Sequence, residues 1–488
     1  MEGPTRPDAD DRLTGVMTDL ADHDTRDEVV RRLGEVFAGR PVILGPGVLA
    51  GYTRVIRWLG ALGCPVLVVS TMRGAGPVAE DHEFELVEIE VPRTASVTEE
   101  FRLLDRIARD LPTAAVAAIE AFDPERRGAW WCGPFVTSDR PILGRTVHGG
   151  RPRAFLDLED KLLAEDIWIA ACVSAVPSSI VPVEREPLAR ATEELATDLG
   201  VVWSGDARDG FNGGGNYVRW VLDDTDRETG RGFLLPRCDR VRVMPFLDGV
   251  PCSIHGFVLP DGTAVLRPVE IATLRASERR RLVYGGLSSW WDPAPADRED
   301  MRDVARRVGE QLRTAYGYRG AFGVDGVLTT GGFRPTEVNT RQPAGLNTVA
   351  GVELRLLSLL QVNLLAGIDT GLTVADVESL LPLLDEHRDG VPVAVADGHS
   401  VGDADDFPVT VALDPDGLGG RLERASEPTG NRVVLSDTTT GFFAKLQPCS
   451  ELRPGTRLAP LNVALMDFLD REYGAGFGAL TAAPDVRL

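Results

Sequence analysis

Residues 320–345 read GAFGVDGVLTTGGFRPTEVNTRQPAG. Two runs with alternating apolar positions flank Thr330-Gly331-Gly332, a combination that predicts a β-hairpin. With the turn centred on Gly331, Asp325 and Glu337 stand six residues to either side and face each other across the pair. Side chains alternate with period two along a strand. Glu337, Asn339 and Arg341 therefore share one face, while Val338 joins Val324 on the other, apolar one. Two carboxylates held opposite each other repel unless a cation lies between them. Mg²⁺ suits that place, because it takes one or two carboxylates together with substrate phosphates, and Asn339 adds a neutral oxygen. Arg341 is placed to steady a phosphoryl group. The competing reading is a solvent-facing hairpin whose charges pair with Arg334 and Arg341, an arrangement of little energetic consequence. Acid, amide and arginine concentrated on one strand face favour the metal.

Upstream, PVILGPGVLAGYTRVIRWLGALGCPVLVVS (41–70) reads as a buried strand, a Gly-rich turn, a helix from about Thr53 and a second buried strand, the start of a parallel βαβ unit. The turn carries only Gly45, Gly47 and Gly51, and no clear acid follows the second strand, so dinucleotide binding gains little support. SVTEEFRLLDRIARDL opens with Ser96 and Glu99 as a capping box and continues as a crossover helix. A new unit begins near Arg151, with helices at about 159–175 and 186–198, a strand at Val201 and the loop DGFNGGGNYV (209–218). Gly213, Gly214 and Gly215 let backbone N–H groups approach a phosphate closely, although a flexible loop has the same composition. Strands dominate 241–266, with Pro260-Asp261-Gly262 as connecting turn. A helix near 298–316 precedes the hairpin, helices near 353–366 and 373–384 follow it, and the last hundred residues read as a mixed, turn-rich appendage.

Composition narrows the function. At 488 residues the chain exceeds one core and predicts two or more lobes. A formal charge of −22 disfavours binding to nucleic acid or to an anionic membrane. The six cysteines (64, 132, 172, 238, 252, 449) include no CxxC pair, which predicts reduced thiols in the cytoplasm and argues against a zinc site. The start, MEGPTRPDADD, lacks the basic-then-apolar order of a secretory signal. Ile167 to Val181, the most apolar stretch, contains Pro177 and is too short for a membrane span. None of the six histidines has metal-ligand spacing. Lys161 and Lys445 are the only lysines among 52 basic residues, so each marks a place where a compact ammonium serves better than a guanidinium fork.

A strand acid, a turn, then Glu-x-Asn-x-Arg is similar to the metal hairpin of the ATP-grasp superfamily of carboxylate–amine ligases. By that resemblance Asp325, Glu337 and Asn339 hold two Mg²⁺ ions, with Mn²⁺ able to substitute, on the phosphates of ATP, and Arg341 stabilises the transferring phosphoryl group. The resemblance implies an α/β fold of α+β lobes: a Rossmann-like pre-ATP-grasp domain over 1–150, a small lobe with a Gly-rich flap over 151–240, a large lobe with the metal hairpin over 241–370 and an appended C-terminal domain over 371–488. The flap precedes the hairpin, as the family order requires, and brings Gly213, Gly214, Gly215 and Asn216 to the nucleotide. Lys161, in LEDKLLAEDIW, opens a helix and looks like the family's first nucleotide-binding lysine; a surface lysine beside Asp160 is the other reading. VRVMPFLDGVPCSIHGFV (241–258) resembles the hinge strand, with Met244 and Phe246 bracketing the base, Gly249 in the turn and Asp248 at the ribose, although ordinary core strands share its apolar spacing. Two departures stand: where the family has a second lysine and a hinge acid, this chain has Trp203-Ser204 and Met244-Pro245. The missing ammonium forfeits about 1.5–3 kcal/mol of phosphate binding unless an arginine substitutes. In layout the chain resembles pheganomycin-type peptide ligases.

RPVEIATLRASERRRLVYGGLSSWWDP (267–293) is locally basic in an acidic protein. Arg267, Arg275 and Tyr284 are its substrate candidates, with Arg279, Arg280, Arg281 and Trp290 as alternatives; a solvated helix followed by core aromatics is the competing reading. The expected activity converts a carboxylate to an acyl phosphate and couples it to an amine, giving an amide or peptide bond, ADP and phosphate. Small-molecule carboxylate and amine or peptide substrates, a role in natural-product biosynthesis and, as one permitted assembly, a homodimer complete the expectation. Two readings from other classes stay open: a nucleotide-responsive binding protein with an altered small lobe, and an ATP-dependent small-molecule kinase.

Overall fold

The computed structural model describes residues 17–208, 210–348, 354–401, 406–413, 420–427, 430–447 and 454–486; the opening MEGPTRPDADD, Asp209 and Cys449 lie outside them. The first unit contains α1 (His23–Gly34), β1 (Val42–Val48), α2 (Leu49–Ala61), β2 (Val66–Met72), β3 (Glu85–Glu88), α3 (Val97–Arg109), α4 (Thr113–Phe122), β4 (Ala129–Trp131) and β5 (Thr146–His148). Its strands form an all-parallel sheet in the order β3-β2-β1-β4-β5. Both faces of this sheet are covered, which is why β1 and β2 are apolar at successive positions. Val42, Leu44, Val66 and Val68 enter one core with α1 and α2, while Ile43, Leu67 and Val69 enter another with α3 and α4.

Two local expectations are corrected here. Strand β1 runs through Gly45-Pro46-Gly47 and α2 starts at Leu49, not near Thr53. The glycine serves strand packing, since a Cβ on Gly45 (φ +114°) would lie 2.3 Å from the Val69 carbonyl oxygen. Ser96 does cap α3, accepting from the Glu99 N–H at 3.3 Å, but the Glu99 carboxylate reaches back to the N–H of Ala95 instead of Ser96.

The second unit comprises α5 (Arg153–Asp157), α6 (Ala164–Ala170), β6 (Ser179–Pro182), α7 (Arg185–Leu195), β7 (Val201–Gly205), β8 (Val218–Val221), α8 (Asp224–Leu234) and β9 (Arg240–Pro245), with an antiparallel sheet ordered β6-β9-β7-β8. The helix expected over 159–175 is confined to α6, and Lys161 lies in the turn between α5 and α6. The break is held by Asp160, whose carboxylate accepts from the N–H groups of Leu162 (3.0 Å) and Ala207 (3.3 Å).

The third unit has β10 (Val250–Leu259), β11 (Gly262–Ala276), β12 (Arg281–Ser288), α9 (Pro295–Ala315), β13 (Gly320–Thr329), β14 (Gly332–Asn339), α10 (Leu354–Leu365), α11 (Val374–Glu378) and α12 (Leu381–Glu386). It is followed by β15 (Gly390–Asp397), β16 (Phe407–Leu413), β17 (Gly420–Arg424), β18 (Arg432–Asp437), β19 (Gly441–Gln447), α13 (Ala459–Tyr473) and β20 (Thr481–Ala482). These last strands are no loose appendage. β15 pairs with β12, so one sheet runs β14-β13-β10-β11-β12-β15-β19-β18-β16-β17, with β20 against β11. Helix α9 covers one face near the hairpin, with Val250, Cys252, Ile254, Val324 and Val338 beneath it. Toward the first unit, α1, α2 and α10 share a continuous core with Phe257, Leu266, Val269 and Ala321, fixing the parallel sheet against the large one. The chain is thus of mixed α/β class. No helix among the described residues is long and apolar enough to cross a membrane.

Candidate nucleotide and metal site

The hairpin pairs Asp325 with Glu337, but by a route different from a turn centred on Gly331. Thr329 pairs with Gly332, leaving a two-residue turn of Thr330-Gly331, and the register then shifts between Asp325 and Gly326, so that Thr336 is an extra residue. That β-bulge is decisive. Without it Asp325 would face Thr336, and Glu337 would turn onto the apolar face beside Val324. Cross-strand partners share a face, and Ser253 of β10 pairs with Asp325, so Ser253, Asp325 and Glu337 form one row across three strands.

The row is polarised for a cation. The Ser253 hydroxyl donates to Asp325 Oδ1 at 2.6 Å, and the Asn339 amide donates to Asp325 Oδ2 at 2.9 Å. Burial, and next the neighbouring Glu337, lift the Asp325 carboxyl to about 6. Asn339 is 3% exposed, and its buried Oδ1 has no donor among the described residues, a situation that costs about 1–3 kcal/mol when left unmet. A hard cation held by Asn339 Oδ1 and the two carboxylates would satisfy that oxygen and offset the carboxylate repulsion. The described residues contain no group of three or more His, Cys, Asp or Glu side chains able to hold a metal. Two carboxylates and one amide oxygen are donors that could hold Mg²⁺ if phosphate oxygens and water completed the set.

Cations surround the row. Lys161 is buried, not a surface lysine; its Nζ lies 3.0 Å from Glu337 Oε1 and 3.5 Å from the carbonyl of Asn212. Arg341 pairs with Glu159, which also binds Arg151 at 2.5 Å. Burial alone would raise the Glu159 carboxyl, but Arg151 and Arg341 hold it below its ordinary range. Arg341 also stands over the rings of Phe135 and Phe211, at 5.5 and 5.9 Å.

Arg242 escaped the sequence reading. It lies on β9 opposite Ser204, is 2% exposed, and donates to the carbonyl of the bulge residue Thr336 at 2.6 Å, with Glu165 3.4 Å away. Its Nε has no hydrogen-bond partner among the described residues. A charged residue at an inward position of the apolar run VRVM was the available signal.

The other candidates divide. Gly214 and Gly215 have φ of +62° and +69°, conformations that favour glycine, and the Asn216 N–H closes a turn onto the Gly213 carbonyl. Met244 and Phe246 are buried, the latter against Trp220 with ring centroids 4.7 Å apart. Asp248 and Arg275 pair at 2.7 Å, with Arg275 over the Phe246 ring, so two hinge candidates and one substrate candidate form a single cluster. Tyr284 is exposed on β12 opposite Thr273. The Arg267 guanidinium is buried against Asp385 (2.9 Å) and Asp292 (3.6 Å), between α12 and the sheet, and does not join the Arg275 cluster.

No protein-family model and no curated protein sequence matches the chain. Among solved structures it is similar to N5-carboxyaminoimidazole synthase from Aspergillus clavatus in complex with ADP and 5-aminoimidazole ribonucleotide, at 12% identity over 88% of this chain and 99% of that one, with a TM-score of 0.47. It is also similar to the biotin carboxylase domain of a thermophilic 2-oxoglutarate carboxylase bound to bicarbonate (15% identity, 91% of each chain, TM-score 0.47). Phosphoribosylglycinamide synthetase from Anaerococcus prevotii is a third (12% identity, 84% of this chain and 94% of that one, TM-score 0.43). All three scores fall below 0.5, and the function proposed next rests on this chain's own residues.

Proposed function

We propose that the chain is an ATP-dependent ligase of the ATP-grasp type that activates a carboxylate as its acyl phosphate and couples it to an amine. The observation that carries this reading is the bulged hairpin, which sets Asp325, Glu337 and the unpartnered Asn339 Oδ1 on one face beneath Lys161 and Arg341. Residues 1–150 form the Rossmann-like unit, 151–240 the nucleotide-binding small lobe, 241–370 the large lobe and 371–488 the C-terminal extension of its sheet.

Asp325, Glu337 and Asn339 would hold one or two Mg²⁺ ions. Such ions, when bound, supply positive charge to the phosphate oxygens and fix their orientation. Lys161 and Arg242 add charge along the phosphate chain, Arg242 standing opposite Ser204, one of the two residues found in place of a second lysine. Gly213 to Asn216 close over the phosphates, with Met244, Phe246 and Asp248 at the nucleoside end. Arg341 meets the terminal phosphoryl group as a carboxylate oxygen attacks phosphorus and the bond to the ADP oxygen breaks. The amine nitrogen then attacks the acyl carbon, the phosphate leaves with its bonding pair, and the nitrogen gives up a proton. Excluding water protects the acyl phosphate between these steps. Arg275 and Tyr284 are the remaining candidates for binding the acceptor. A small-molecule substrate pair, with amide or peptide bond formation of the pheganomycin kind in the cytoplasm, fits the formal charge of −22 and the lack of a CxxC pair in the sequence.

The test is an acyl phosphate trap. The protein, ATP, Mg²⁺ and hydroxylamine are incubated with a panel of amino acids and other carboxylic acids. Acyl hydroxamate formed together with ADP is the expected result. ADP accompanied by a stable phosphorylated product and no hydroxamate would make the chain a kinase.

A further inference from the structure

We infer that α3 of the N-terminal unit is a catch for the Gly-rich loop, and that Arg102 is a positioning residue acting through that loop on Arg341; the inference rests on the ligase reading above. The Arg102 guanidinium forks onto two consecutive loop carbonyls, donating from Nε to Phe211 at 2.7 Å and from Nη2 to Gly210 at 2.9 Å. One helical turn earlier, the fully buried Thr98 hydroxyl donates to the Gly213 carbonyl at 3.0 Å and accepts from the Gly213 N–H at 3.2 Å. Lys161 holds the intervening carbonyl of Asn212. Four successive carbonyls, 210 to 213, are thus each held by a side chain from outside the loop. In a trans peptide the C=O and the following N–H point in opposite directions. Binding the carbonyls of 210 and 211 to α3 therefore directs the N–H groups of Phe211 and Asn212 away from it.

The catch reaches the reacting centre through aromatic rings. Phe101, adjacent to Arg102 on α3, stacks on Phe135 at 3.8 Å, and Phe211 of the loop closes against Phe135 at 5.1 Å. Arg341 rests on the Phe135 and Phe211 rings. When Arg102 fixes the loop backbone it also fixes Phe211, and with it one wall of the site of the proposed phosphoryl-transfer arginine. Helix α3 is braced on its far side by the turn between β18 and β19: the Thr439 hydroxyl donates to Glu100 at 2.7 Å, and its carbonyl accepts from the Thr94 N–H at 3.0 Å. A glycine-rich loop left to itself closes at a large entropic cost; tethered at four carbonyls it closes onto nucleotide in one geometry.

Hydrogen exchange on the full chain tests the catch, comparing wild type with Arg102→Ala, Arg102→Lys and Thr98→Val, each without nucleotide and with a nonhydrolysable ATP analogue plus Mg²⁺. Arg102→Ala should speed exchange at amides 210, 213 and 216 by about tenfold or more, leave the amides of β7 and β9 unchanged, and weaken analogue binding about tenfold. Arg102→Lys, which cannot fork, should recover only part of both effects, and Thr98→Val should reproduce the loosening independently. Unchanged loop exchange in both Arg102→Ala and Thr98→Val overturns the inference whether or not nucleotide binds. A loosened loop with undiminished analogue affinity overturns the positioning role. A loop that loosens as expected, in a wild-type protein that binds no analogue, supports the catch and instead removes the ligase reading.

Discussion

Lys161 and Glu337 make an ion pair whose energy a double-mutant cycle isolates. Lys161 is 3% exposed at its side chain and Glu337 26%, with 3.0 Å between them. Breaking a fully buried pair from one side costs about 3–5 kcal/mol, while replacing both partners by apolar groups is close to neutral. Glu337→Met leaves the ammonium with only the Asn212 carbonyl at 3.5 Å, so a loss of roughly 3 kcal/mol follows. Lys161→Met leaves a carboxylate that water still reaches, facing Asp325, and should cost about 1–2 kcal/mol. The double substitution should cost about 1 kcal/mol, which gives a coupling of roughly 3–4 kcal/mol in a double-mutant cycle. Urea unfolding of the four proteins measures it. A coupling under about 0.5 kcal/mol refutes this reasoning.

Three further outcomes follow from single residues. His255 is fully buried, with both ring nitrogens unpartnered, and burial holds its pKa at about 3, below the unfolded value of 6.5. Its stabilising neutrality is complete above pH 6.5 and is lost as pH falls toward 3. Between pH 6.5 and 4.5 the loss is about 2 kcal/mol, and urea midpoints of His255→Leu should lack that share of the acid sensitivity. Gly45→Ala should destabilise by about 2–4 kcal/mol, because its Cβ would meet the Val69 carbonyl at a positive φ; an unchanged melting temperature contradicts this. Arg242→Met removes the donor to the Thr336 bulge carbonyl and should cost about 1–3 kcal/mol of stability together with the metal dependence of nucleotide binding. Full retention of Mg²⁺-dependent binding in calorimetry would separate Arg242 from the site.

The hairpin was legible because its information is local: alternation places Asp325, Glu337 and Asn339, and the glycines announce the turn. Its register was reached through two errors that cancel, a turn taken as centred on Gly331 and a bulge at Thr336 that went unseen. Neither is visible to periodicity, since one extra residue alters face assignment without altering composition. The parallel βαβ start was likewise readable, although glycines that serve close strand packing were taken for a turn. The partners of the site were not legible. Arg102, Thr98 and Arg151 meet their targets only after three separate units assemble, and nothing in EFRLLDRIARDL distinguishes Arg102 from Arg106 or Arg109 as the one that binds loop backbone. Lys161 was found by rarity, yet its burial depended on Asp160 breaking a helix that spacing alone predicts to continue. The pairing of β12 with β15, across about a hundred residues, is equally non-local, which is why the C-terminal strands read as a separate appendage.

The most direct measurement is Mg²⁺-dependent stabilisation by a nonhydrolysable ATP analogue in the wild-type chain and in Glu337→Ala. At about a hundred times the dissociation constant, binding should raise wild-type stability by about 2.7 kcal/mol, only with Mg²⁺ present, and Glu337→Ala should show no such rise. Stabilisation that is indifferent to Mg²⁺ or survives in Glu337→Ala, or no response in wild type, would contradict the assignment of the hairpin as a metal–nucleotide site.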